Sequence, residues 1–209
     1  MQGSIEGQLA SRFMDMEFRM SEYKKQIWNP GNMLYPLPVV MVTVTDKEGN
    51  DNIITIAWAG TTCSDPAMVS ISVRPERYSY QMLKDTGEFV INLPTKDLCF
   101  ATDYCGVKSG RNVDKFKELG LTKQAAKFVK APIIGECPVS IECKVEQILP
   151  LGSHDMFLAR VLAVQADERY MDDKGRFCLE KAEPIVYSHG EYFTCGKNIG
   201  KFGYSIKKK

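Results

Sequence analysis

The chain has 209 residues, 44% hydrophobic and 25% charged, with a formal net charge of +1. That length can bury one sizeable core, and its only basic run, Lys207 to Lys209, falls short of the cationic surface that nucleic-acid binding requires. No apolar stretch approaches the roughly 20 residues of a membrane-spanning helix, and the opening MQGSIEGQLASRF lacks the pattern of an export signal, so a cytoplasmic protein with no membrane or nucleic-acid partner is expected.

Residues 1–20 read as a tail, part of which need not be native, since Met14, Met16 and Met20 are each a plausible start. Residues 21–209 read as one domain. The seven cysteines are an odd count without CxxC spacing, and there are only two histidines, so reduced thiols and no metal site are expected.

In chain order, VVMVTVT (39–45) and NIITIAW (52–58) are β-branched runs separated by DKEGND, and they predict an antiparallel hairpin. AMVSISV (67–73) alternates, with Val69, Ile71 and Val73 on one face. RYSYQMLKDTG (77–87) predicts a short helix with a candidate cap at Ser79 and a stop at Gly87, followed by the strand EFVINLP. DYCGVKSGRNVDKF (103–116) reads as a loop leading into a second short helix, NVDKFKELG, which begins at an asparagine and stops at Gly120.

PVSIECKVEQIL (138–149) is a strand with Val139, Ile141, Cys143 and Val145 inward and a wet face of Ser140, Glu142, Lys144 and Glu146. DMFLARVLAVQAD (155–167) fits helix or strand by periodicity, and its β-rich context favours strand. Many strands punctuated by short helices predict a mainly β fold, a closed or nearly closed barrel with flanking helices.

Three stretches have the chemistry of a ligand site. AWAGTTCSDP (57–66) leaves a strand through small residues that admit a flat ligand, with Thr61, Thr62 and Ser64 for its polar tail. RPERYS (74–79) puts Arg74, Arg77 and Ser79 at a helix start, a good phosphate cradle. Gly106, Lys108, Ser109, Gly110 and Arg111 gather in the next loop, without the residue order of a P-loop. A polar loop, a solvated surface and a plain turn are the respective alternatives.

From Asn32 onward the sequence resembles the flavin reductase-like family with the FMN-binding split barrel, in its flavoredoxin-like branch. The resemblance is carried by NMLYPLPVVMVTV, NIITIAWAG, the DP at 65–66, RPERYS, GEFVINLP, DYCGVKSG, DKF, the Gly-X-His of LGSHDMF, and PIVYSHGEYF. It implies a homodimer holding FMN noncovalently. It also implies that Ala57, Trp58, Ala59, Thr61 and Thr62 line the flavin and its ribityl phosphate, and that Arg77 and Ser79 lie near the phosphate. Asn92, Lys108, Ser109 and Phe193 are implied further contacts.

His154 stands where reductases of that family often have the histidine of Gly-Asp-His, beside the flavin and the nicotinamide of NADH or NADPH. Here Ser153 replaces the acid, and Asp155 follows. Two activities remain open: electron transfer from a nicotinamide to free flavin or a small acceptor, and flavoredoxin-like exchange with a redox protein.

Overall fold

A computed structural model describes residues 23–206, which leaves the tail at 1–20 outside the described residues. The chain divides into two units, Met1–Leu34 and Tyr35–Lys209, and every strand and helix described here belongs to the second.

Its principal sheet has seven strands in the order β3-β2-β6-β9-β10-β5-β4. The strands are β2 (Val40–Thr45), β3 (Asp51–Ile56), β4 (Ala59–Ser64), β5 (Ala67–Val73), β6 (Glu88–Leu93), β9 (Val139–Pro150) and β10 (Asp155–Ala166). The edge strands β3 and β4 are consecutive in sequence, separated only by Ala57 and Trp58. Two residues span about 7 Å at most, so the sheet must curl until its edges meet. A small sheet joins β1 (Leu37–Pro38), β11 (Ile185–Ser188) and β12 (Glu191–Thr194), and β7 (Lys123–Gln124) pairs with β8 (Ile133–Ile134).

Alternation along the strands fills the barrel. Val40, Val42, Val44, Val69, Ile71, Val73, Phe89, Ile91, Cys143, Phe157 and Ala159 form one buried cluster, closed by Tyr80, Met82 and Leu83 of helix α1 (Tyr78–Thr86). The opposite face of β2 and β3 presents Met41 and Ile53 to Ala101 and Cys105 of α2 (Cys99–Val107) and Phe116 of α3 (Lys115–Leu119).

The β2–β3 hairpin, the alternation of β5 and the strand from Asp155 follow the sequence reading. Other details differ. The stretch 59–64 forms a strand, and residues 99–107 form a helix, so the expected loop begins only at Lys108. Asp114, rather than Asn112, caps α3 by accepting from the Lys117 amide. Ser79 is the second residue of α1, whose N-cap is Arg77 with no side-chain capping bond.

The supposedly wet face of β9 is dry at its start. Glu142 is fully buried, and its carboxylate accepts from the amides of Lys127 and Phe128 and from the Gln165 side chain. Burial alone would raise its pKa, but these hydrogen bonds together outweigh burial and hold the carboxyl below its ordinary range. Period-two polarity marks the residues that leave the barrel interior; it does not say whether another segment covers them.

Candidate functional site

A cavity of about 320 Å³ lies where the start of α1, the end of α2 and the loop after it face β3. Five cationic side chains line it, Arg74, Arg77, Lys108, Arg111 and Lys115, against the single carboxylate of Glu76. Such an excess of positive charge over a concave surface attracts anions.

Arg77 donates from Nη1 to the Gly106 carbonyl at 3.3 Å, and the Arg111 guanidinium lies 5.5 Å from the centre of the Tyr78 ring. Ser79 is buried and accepts a 2.7 Å hydrogen bond from Asn52 Nδ2. A Cβ at Gly110 would stand 2.2 Å from Asn52 Oδ1 and 2.9 Å from the Tyr78 ring, so any larger residue there must displace side chains of the cavity wall.

Lys115 is the most buried charge on the cavity wall, with only 4% of its surface exposed. Its Nζ donates to the carbonyls of Ile53 and Cys105 at 2.6 and 2.8 Å. Burial brings its pKa down to about 8, with repulsion from Arg77 adding and Cys105 opposing. The Cys105 thiol beside it is pushed up to about 11 by burial, which makes it a poor nucleophile.

Trp58 and His154 form a second cluster. Their rings are parallel, with centroids 6.0 Å apart and planes within 3°. His154 closes a short loop, its carbonyl accepting from the Leu151 amide at 3.0 Å, and Gly152 supplies the φ of 99° that the turn needs. Its Nδ1 lies 2.9 Å from the Ser153 hydroxyl. Burial lowers its pKa below the usual imidazole value, and Arg74 and Arg77 of the cavity lower it further against the pull of Glu76.

The structure thus gathers Arg77, Ser79, Lys108 and Ser109 around one cavity and stacks Trp58 on His154. Ala57 lies beside Trp58 in the β3–β4 bend, and Ala59 and Thr61 follow on β4. Thr62 falls at the irregularity where β4 slips against β5. None of Ala57, Ala59, Thr61 and Thr62 lines the cavity.

Asn92 is placed elsewhere. It is fully buried on β6, where its amide donates to the Met41 carbonyl and accepts from the Ile134 amide and the Ser140 hydroxyl. Those bonds knit sheet to loop. Phe193 is half exposed on β12, opposite Val186, also away from the cavity.

Sequence reasoning missed Asn52 and Lys115. Lys115 shares a helical face with Leu119, a spacing that marks it as a candidate inward charge.

Residues 32–196 match the family described as flavin reductase like domain. The chain belongs to the flavin reductase-like family. Within it the chain groups with the flavoredoxins: it is 32% identical to flavoredoxin of Desulfovibrio vulgaris (Miyazaki F), with a TM-score of 0.82 over 88% of this chain and 100% of that one. The flavoredoxin from Methanosarcina acetivorans is 27% identical, with a TM-score of 0.79 over the same shares. An uncharacterised protein of Archaeoglobus fulgidus is 30% identical over 84% of this chain and 94% of its own length. The fold is accordingly the FMN-binding split barrel of this family of flavin-related oxidoreductases.

Proposed function

We propose that the protein holds FMN noncovalently and acts as an FMN-dependent oxidoreductase, oxidising NADH or NADPH and delivering the electrons to free flavin or another small acceptor. The cationic cavity at the start of α1 carries this reading. It fits a phosphate monoester in charge and in donor chemistry.

Arg77 would supply a charge-assisted hydrogen bond to the phosphate, with Lys108 and Ser109 closing from the loop and Lys115 beneath. Because Ser79 already accepts from Asn52, its own proton is available to donate. Helix α1 adds first-turn amides that no side chain caps. The backbone from Ala57 to Ala59 and the hydroxyls of Thr61 and Thr62 would line the rest of the cofactor.

When bound, the flavin supplies the two-electron chemistry; the protein supplies position and electrostatics. Trp58 and His154 make a flat, partly apolar wall against which a nicotinamide can lie, and a neutral imidazole adds no charge repulsion to the cationic surroundings. On this reading two copies of the chain form the working unit in the cytoplasm.

A second reading, flavoredoxin-like exchange of electrons with a protein partner, is favoured by one feature: the Nδ1 partner of His154 is the Ser153 hydroxyl, not a carboxylate. Two measurements decide. Protein as purified should carry FMN or take it up to near one equivalent, and a colourless chain that fails to bind added FMN removes both readings. Steady-state oxidation of NADH and NADPH should exceed the rate of free FMN, and no excess leaves the electron carrier.

A further inference from the structure

Asp155 follows His154 directly and opens β10, lying opposite Val73 of β5 and Pro150 of β9. Its carboxylate does not serve the imidazole, whose Nδ1 partner is Ser153. It accepts instead from the phenol of Tyr80, the third residue of α1, across 75 positions of sequence.

The Tyr80 ring is held firmly. It is 8% exposed within the barrel cluster, meets Phe157 edge-on at 5.7 Å, and carries Lys84 Nζ at 5.4 Å. With the ring fixed, the hydroxyl is a fixed point to which Asp155 is tied. The adjoining residues on each side belong to the site: Ser79 precedes Tyr80 on the cavity wall, and His154 precedes Asp155 against Trp58.

We propose that Tyr80 and Asp155 are a positioning pair, whose hydrogen bond ties the first residue of β10 to α1 and so fixes the His154 ring parallel to Trp58. Neither residue touches the cavity; both act through His154. The pair's functional meaning rests on the reading of His154 as part of the flavin site, whereas its geometric content does not. The β5 and β9 ladders hold the Asp155 backbone and the Leu151–His154 bond closes the loop, but neither reaches across to α1, which the Asp155 carboxylate does. A tether one residue beyond the ring supplies the orientation, as preorganised sites require.

The chain has two histidines, so ring proton resonances give a local readout. A His189→Asn variant assigns them. At pH 8, in protein as purified and at matched flavin content, the indole ring current should displace the His154 resonance. His189, whose ring lies 4.3 Å from that of Tyr35, provides an internal control. In Tyr80→Phe, which keeps the ring and removes only the hydroxyl, His154 should lose most of that displacement while His189 stays in place. Asp155→Ala should do the same with Tyr80 intact, and covers the case in which Tyr80→Phe does not fold. Asp155→Asn, whose carbonyl can still accept from the phenol, should restore the wild-type position.

An unmoved His154 resonance in either disruptive variant overturns the proposal. So does a shift in Asp155→Asn as large as in Asp155→Ala, which would make charge, not tethering, the operative property. Equal movement of both histidines overturns it too, as general loosening. A protein that binds no FMN yet shows the expected pattern loses the flavin reading and keeps the positioning pair.

Discussion

The imidazole of His154 and the indole of Trp58 lie parallel, 6.0 Å between centroids, although 96 residues separate them, because they precede β4 and β10, the two strands that flank β5, at the same end of that three-strand array. Trp58 ends the bend that carries the chain from one sheet edge to the other, and His154 ends the loop before β10. Pairing of β4 and β10 on the two sides of β5 therefore brings the two rings together. The wall is placed by topology and needs no local motif.

Removing half of that wall should separate binding from turnover. His154→Ala is expected to retain FMN while its reduction by NADH or NADPH, followed by stopped flow, slows on the order of tenfold or more, the size of a lost orienting contact. Because burial and Arg74 lower the His154 pKa, the wild-type rate should stay level down to below pH 6.5 before the imidazole gains a proton. A wild-type reduction rate in the variant would make His154 a structural residue.

Arg77 makes the complementary test. Its guanidinium reaches Gly106 from an exposed position, so truncation leaves no buried charge behind. Arg77→Ala should weaken FMN binding by about 1–3 kcal/mol, as expected for one charge-assisted hydrogen bond, and should leave riboflavin affinity nearly untouched. Equal losses for the two flavins would move Arg77 from the phosphate to the ring.

If the cavity holds the FMN phosphate, Lys115 should make FMN affinity sensitive to alkali. Its pKa of about 8 is depressed by burial, and a bound phosphate favours the charged ammonium, so binding raises that pKa and takes up a proton above pH 8. FMN affinity should therefore be level up to about pH 8 and then fall, approaching about tenfold per pH unit by linkage. Riboflavin, titrated by the same fluorescence quenching, should show no such fall. The other charges on the cavity wall, Arg74, Glu76, Arg77, Lys108 and Arg111, stand around this group, and Cys105, at about 11, stays protonated through the range. A flat FMN profile from pH 7 to 9.5 would place the phosphate away from Lys115.

The barrel was legible because burial on one face of a strand leaves a period of two, as in Val69, Ile71 and Val73. The cavity was half legible. Arg77, Ser79, Lys108 and Ser109 sit near turns that any reading notices, whereas Lys115 and Asn52 lie within regular elements where a polar residue looks solvated. Asn92 shows the converse: a strand-end asparagine looks like a ligand contact until the segment that consumes its hydrogen bonds is in view. Contacts made by a covering loop leave no period in the strand they cover. The same reason hid Glu142.

Glu142 carries the clearest stability prediction. Its two oxygens satisfy the amides of Lys127 and Phe128 inside the fold, so Glu142→Ala would strand both donors as well as open a void. The expected loss is about 2–4 kcal/mol in urea denaturation at pH 7. The sign of the pH dependence follows from the lowered folded pKa. The unfolded chain binds the proton first, so the contribution is fully present above the unfolded value near 4.5 and drains away as pH falls through the lower folded value. Wild type should thus lose stability between pH 5 and acid faster than Glu142→Ala, and the two denaturation curves should converge. Parallel curves would assign the loss to the void alone.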